Sequence, residues 1–129
     1  MKFVAVLTVV IITFACAVPS AQAARLNGTW SGSGYIKPNG GARENVRCRV
    51  TYSRETSRIY GVRATCASSS QSIRQTGEVL RIRPNRFVGD FYNAQLDIGG
   101  RITVTVRGSR QTVTFSSSSG GGRLTLHKR

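Results

Sequence analysis

The chain has 129 residues, 40% of them hydrophobic, with 19 Lys+Arg against five Asp+Glu for a formal charge of +14. That length suits one domain, and the excess of cations directs the protein toward anionic partners. One histidine and three cysteines, spread along the chain, exclude a clustered metal scaffold.

Met1 and Lys2 precede an apolar run over residues 3–18, and Pro19-Ser20-Ala21-Gln22-Ala23 supplies an A-x-A cleavage pattern through Ala21 and Ala23. Residues 1–23 are therefore expected to be a cleaved secretory signal, with a retained N-terminal anchor as the alternative. The run is short of the ~20 residues that span a bilayer, and no second run follows, so no transmembrane span is expected after cleavage. Cleavage removes Lys2 and Cys16 and leaves residues 24–129 as a single domain of +13, from 18 cations less five acids. Lys37 and Lys128 are the only lysines among these cations; the other 16 are arginines, whose planar fork of donors matches phosphate and carboxylate.

Period-two alternation predicts strands over 26–36, 43–52, 59–67, 72–82, 86–92, 101–107, 111–117 and 122–128. Turn signals separate them: Lys37-Pro38-Asn39-Gly40-Gly41, Pro84-Asn85, Asp97-Ile98-Gly99-Gly100 and Gly108-Ser109. The low-complexity stretch over 116–122 reads as a flexible loop. No stretch shows a helical period, so the fold class is all-β, and eight short antiparallel strands are enough to close an up-and-down barrel.

Cys48 and Cys66 form an even pair in an exported chain and are expected to be disulfide-bonded. If they face each other across a hairpin, Val50 opposes Ala64, Tyr52 opposes Val62, and the turn centres on Ser57. Val46, Cys48, Val50, Tyr52, Val62, Ala64 and Cys66 then share one face, while Arg47, Arg49, Thr51, Arg63 and Thr65 share the other. A bridge between non-neighbouring strands is the alternative. Downstream, Leu80 and Ile82 are expected inside and Arg81 and Arg83 outside, with Ile102, Val104, Val106, Val113, Phe115, Leu124 and Leu126 continuing the inner face.

Catalytic chemistry has little to work with. A histidine-based nucleophile pair would need His127, near the chain end. Asp90 and Asp97 could form an acid/base pair, but Asp97 opens a turn signal, and Asp90, Glu44, Glu55 and Glu78 are the few acids available to the many arginines. No cofactor or metal site is indicated, and Gly32-Ser33-Gly34 lacks the helix of a phosphate loop. The chain therefore reads as a non-enzymatic binding module. Its anion-binding surface is assigned to Arg47, Arg49, Arg63, Arg81 and Arg83, joined by Arg54, Arg58 and Arg86, and its partners to envelope polymers or lipid head groups. Nucleic acid is disfavoured, because Tyr35, Tyr60 and Tyr92 are sparse candidates for base stacking.

Leu26-Asn27-Gly28-Thr29-Trp30-Ser31-Gly32 resembles the G-x-W first strand of the calycin group, the lipocalin-like and avidin-like barrels. Gly28 and Trp30 match that motif, and the resemblance implies that Trp30 closes one barrel end and that a basic residue near the last strand, His127, Lys128 or Arg129, packs across the indole. In size, single disulfide and basic C-terminal end the chain is also similar to Inh-type periplasmic protease inhibitors, although only Ala24-Arg25-Leu26-Asn27 precedes Gly28. The runs 28–34 and 46–52 with Cys66 are similar to small exported proteins of α-proteobacteria whose activity is unassigned. A periplasmic or secreted location follows from these readings. Two further functions are implied: a protease-inhibitor-like or protein-interaction barrel, and a carrier of a small ligand in the barrel interior.

Overall fold

The computed structural model describes residues 3–15 and 24–129. The expected cleavage motif and Cys16 lie outside the described residues. Residues 3–15 form neither helix nor strand, and their large apolar side chains are exposed. No described helix is long and apolar enough to cross a membrane.

Eight antiparallel strands follow one another around a closed barrel: β1 (Gly28–Pro38), β2 (Glu44–Arg54), β3 (Ile59–Ala67), β4 (Ser72–Arg83), β5 (Arg86–Asn93), β6 (Ile98–Arg107), β7 (Arg110–Ser117) and β8 (Gly120–Lys128). Each strand pairs with its sequence neighbour, and β1 pairs with β8 from Trp30↔Lys128 to Pro38↔Gly120. Closure leaves no unpaired strand edge. Most apolar residues face inward and most Arg, Ser and Thr outward, the reverse of a lipid-facing barrel.

The β2–β3 hairpin has the expected register. Cys48 opposes Cys66, Val50 opposes Ala64 and Tyr52 opposes Val62, and the two cysteines are joined as a disulfide with Cα atoms 4.1 Å apart. A cross-strand bridge follows directly from that pairing, because both side chains stand on the same face of adjacent strands.

Three expectations need correction. On β4 the inward set is Ile73, Gln75, Gly77, Val79 and Arg81: Val79 is 1% exposed, whereas Leu80 and Ile82 are 44% and 47% exposed on the outer wall. Both parities of this strand mix apolar and charged residues, so alternation alone does not choose between them. Pairing with β3, which sets Val79 against Tyr60 and Leu80 against Ile59, does. Second, residues 116–122 are no loop. Only Ser118 and Ser119 separate β7 from β8, and this tight turn is held by bonds from Asn39 to the carbonyls of Ser118 and Ser119. Third, Ile98, Gly99 and Gly100 belong to β6, leaving Asp97, at φ 50°, in the turn.

Gly100 and Gly122 are in strands because of what faces them. A Cβ on Gly100 would collide with the Phe91 ring and one on Gly122 with the Phe115 ring. These two rings meet edge to face, with centroids 6.0 Å apart, so the glycines provide the space that two aromatic wall residues occupy.

Candidate functional site

The barrel has two unlike ends. One is plugged by Trp30, Leu26 and Phe87, all fully buried. The Trp30 indole donates to the Leu26 carbonyl at 2.8 Å, and Tyr60 meets Phe87 edge to face at 5.5 Å. Lys128 supplies the basic group over the indole: its Nζ lies 5.5 Å from the ring centroid and donates to the Arg25 carbonyl. Residues 24–27 are strapped across this end, with the Ala24 amide bonded to the Pro84 carbonyl and the Asn27 side chain to the Arg54 amide. That segment is therefore held down on the barrel, and its Leu26 side chain is not free to reach a partner.

Arg81 belongs to this closed end. Its guanidinium donates to the carbonyls of Pro84 and Ala24 and to the Tyr60 hydroxyl, and it lies 4.6 Å from the Phe87 ring centroid. It thus differs from Arg83, which is exposed at the end of β4. Arg47, Arg49 and Arg63 are exposed together on the outer wall, opposite Ser33, Ser31 and Thr51 respectively. The remaining candidates lie apart from one another. His127 is exposed on β8, between Ser31 and Arg110. Asp90 lies between Glu78 and Arg101 on the outer wall, whereas Asp97 accepts from the Tyr92 hydroxyl at the other end. Glu44 accepts from Ser70, not from an arginine, and serine hydroxyls hold its carboxyl below the ordinary range. Tyr60 is core, Tyr35 carries Arg43 over its ring at 3.8 Å, and only Tyr92 of the three tyrosines is exposed. Among the described residues no three His, Cys, Asp or Glu come together as a metal site.

The opposite end is open. A cavity of about 240 Å³ enters there, walled by Ile36, Ile73, Phe91, Leu96, Ile98 and Phe115, with Glu44, Ser68, Gln71 and Ser117 toward its rim. A smaller space of about 40 Å³ continues inward between the same aromatic pair to Val50 and Tyr52. The volume lies just under the range usual for drug-sized ligands, so the shape suits a compact molecule or one that protrudes from the mouth.

Two polar side chains interrupt the apolar lining in an informative way. Asn93 is 2% exposed and lines the cavity; its Oδ1 accepts from the Leu96 amide, while its Nδ2 has no protein partner. Gln75 lies on the same wall. Neither residue stands out in the sequence as a candidate. The signal is there nonetheless, as a polar residue on the inward parity of Phe87, Gly89, Phe91 and Asn93 and again of Ile73, Gln75, Gly77 and Val79.

Below the cavity the Tyr52 hydroxyl donates to Gln111 Oε1 at 2.6 Å, both residues being almost wholly buried. Burial pushes the phenol far above its ordinary value of 10. Tyr52→Phe removes the donor and leaves the Gln111 oxygen unpaired, for an expected loss of about 1–3 kcal/mol. The folded chain keeps this phenol protonated where the unfolded chain ionises it. Its contribution is complete below pH 10 and is lost as pH rises further. The urea midpoints of wild type and Tyr52→Phe should therefore differ at pH 8 and converge above pH 10.

No protein-family model matches the chain, and no curated protein matches it. Among solved structures it is similar to redesigned and de novo β-barrels. The redesigned barrel mFAP1 bound to DFHBI is 15% identical, with a TM-score of 0.66 over 81% of this chain and 94% of that one. The redesigned barrel mFAP0 bound to DFHBI is 16% identical, with a TM-score of 0.65 over 81% and 98%. A fluorescence-activating β-barrel designed de novo is 18% identical, with a TM-score of 0.64 over 83% and 96%. At these identities the likeness is one of fold: a closed eight-stranded antiparallel barrel.

Proposed function

We propose that this protein is an exported, non-enzymatic barrel that holds a small, largely apolar ligand in its open end. The observation that carries the reading is the Asn93 amide. A buried Nδ2 without a partner costs about 1–3 kcal/mol, and a hydrogen-bond acceptor on a ligand in the cavity would satisfy it. The apolar walls supply contact area, and one directed donor sets the ligand's orientation. Redesigned barrels of the same fold are bound to DFHBI, which supports a small molecule as the kind of ligand the fold can take. Export is supported by the signal-like residues 1–23 and by a disulfide, which persists in an oxidising compartment.

Native mass spectrometry of the protein isolated from the cells that make it tests the reading. A discrete retained mass is expected, with one ligand per chain. Asn93→Leu keeps the volume and removes the donor, and should weaken retention of that ligand by about tenfold or more. The second arm uses the neutral fluorophore N-phenyl-1-naphthylamine, whose emission should rise on binding the wild type at one site. Ile73→Trp, which fills the mouth, should abolish that rise. A bare protein that also leaves the fluorophore unchanged would sink the proposal.

A further inference from the structure

The meander sorts charge between the two barrel ends. Three turns meet at the closed end, and each is flanked by two exposed arginines: Arg54 and Arg58 after β2, Arg83 and Arg86 after β4, and Arg107 and Arg110 after β6. Glu55 is the only acid in these turns. In the turns at the mouth, by contrast, Lys37 and Arg43 are offset by Glu44 and Asp97, and the arginines of that side, Arg74 and Arg123, sit back on the strands.

The basic end is also shaped. Arg25, Arg54, Arg58, Arg81 and Lys128 line one open concavity beside the strap of residues 24–27. The bonds of Arg54, Arg81 and Lys128 go to backbone carbonyls and a tyrosine hydroxyl, which carry no formal charge. None of these bonds reaches a carboxylate, so the three cations keep their full formal charge at this end.

Beside this end lies an aliphatic stripe on the outer wall, with Leu80 and Ile82 exposed and Ile59 and Val88 half-buried. Ile59, Leu80 and Val88 stand in register on the outer faces of β3, β4 and β5, with Ile82 one step further toward the turn. Arg58 precedes Ile59 and Arg83 follows Ile82, so cations adjoin the apolar side chains.

We infer that the closed end docks on an anionic lipid surface, its arginines meeting phosphate head groups and Leu80 and Ile82 entering the boundary above the acyl chains. Basic groups beside exposed aliphatics suit that interface, whereas a nucleic acid would call for exposed stacking rings, and Tyr60 at this end is buried. The anion-binding set read from the sequence mixes the side-wall residues Arg47, Arg49 and Arg63 with Arg54, Arg58, Arg81, Arg83 and Arg86 of this end; the charge sorting favours the end residues as the docking surface. Docked this way, the barrel turns its mouth away from the membrane. The inference is independent of what the lumen holds.

The test is sedimentation of the purified protein with vesicles of phosphatidylglycerol and phosphatidylcholine, and with phosphatidylcholine alone. Binding is expected only to the anionic vesicles and should fall steeply with salt. Each end arginine removed should weaken partitioning about fivefold, so the quadruple variant R54S/R58S/R83S/R86S should lose on the order of several hundredfold. The charge-neutral change L80S/I82S should lose roughly tenfold. R47S/R49S/R63S should lose far less than the quadruple variant. All variants carry the same N-terminus and are compared at matched melting temperature, so leader binding and misfolding do not enter the difference. Equal partitioning of wild type and quadruple variant, equal binding to both vesicle types, or displacement from anionic vesicles by duplex DNA at equal charge would each overturn the inference.

Discussion

Replacing Trp30 with alanine is expected to cost about 3–5 kcal/mol, a large share of the roughly 5–15 kcal/mol that stabilises a domain this size. The indole is fully buried and closes the barrel end together with Leu26 and Phe87. Its loss would leave a cavity too enclosed to collapse, orphan the Leu26 carbonyl that accepts from Nε1, and remove the ring beneath Lys128. Trp30→Phe keeps most of the volume and loses the donor, so it should cost far less, about 1–2 kcal/mol. Urea unfolding of both variants checks this. A Trp30→Ala cost below about 1 kcal/mol would mean that the strap of residues 24–27, not the indole, closes the end.

Much of the architecture is legible before any coordinates, and the reasons are specific. The β2–β3 register can be read because one parity from Val46 to Tyr52 and from Val62 to Cys66 is wholly apolar or small; a slip of one residue would bury Arg47, Arg49 and Arg63. The closed end is located by the resemblance of residues 26–32 to a G-x-W first strand, which implies that Trp30 plugs it, and the indole is fully buried there. Alternation misplaces β4 because Arg81 occupies an inward position. Its long stem passes the Phe87 ring, and its head finds carbonyls at the barrel end, so an arginine there satisfies burial without being outward.

The glycine-rich segments mislead for a different reason. Glycine weakens an isolated strand, but in a narrow barrel Gly100 and Gly122 are where the Phe91 and Phe115 rings sit, a cross-strand relation invisible to local composition. The mouth cavity is the least legible part. Its walls come from strands far apart in sequence, and only the inward-facing amides of Asn93 and Gln75 mark it. The charge sorting is hidden in the same way: the arginine pairs of three turns are separated by more than 20 residues, and only the meander gathers them at one end.

Removing the disulfide with Cys48→Ala and Cys66→Ala together should destabilise the protein by about 3 kcal/mol, which is the loop-closure contribution expected for a sequence separation of 18. For a domain of this size that corresponds to a fall in Tm of roughly 10–20 °C. The bond also has a local role, since Cys66 lines the mouth cavity and lies in register with Ile73 on the same wall. The double variant should therefore weaken retention of the lumen ligand even at temperatures where it is fully folded, while leaving vesicle binding by the distant arginine end unchanged. Calorimetry combined with the two binding measurements separates these effects. A fall in Tm of less than about 3 °C would show that ladder closure by β1 and β8 already restrains the chain as strongly as the bond does. A parallel loss of vesicle binding would show that the two ends of the barrel are mechanically coupled.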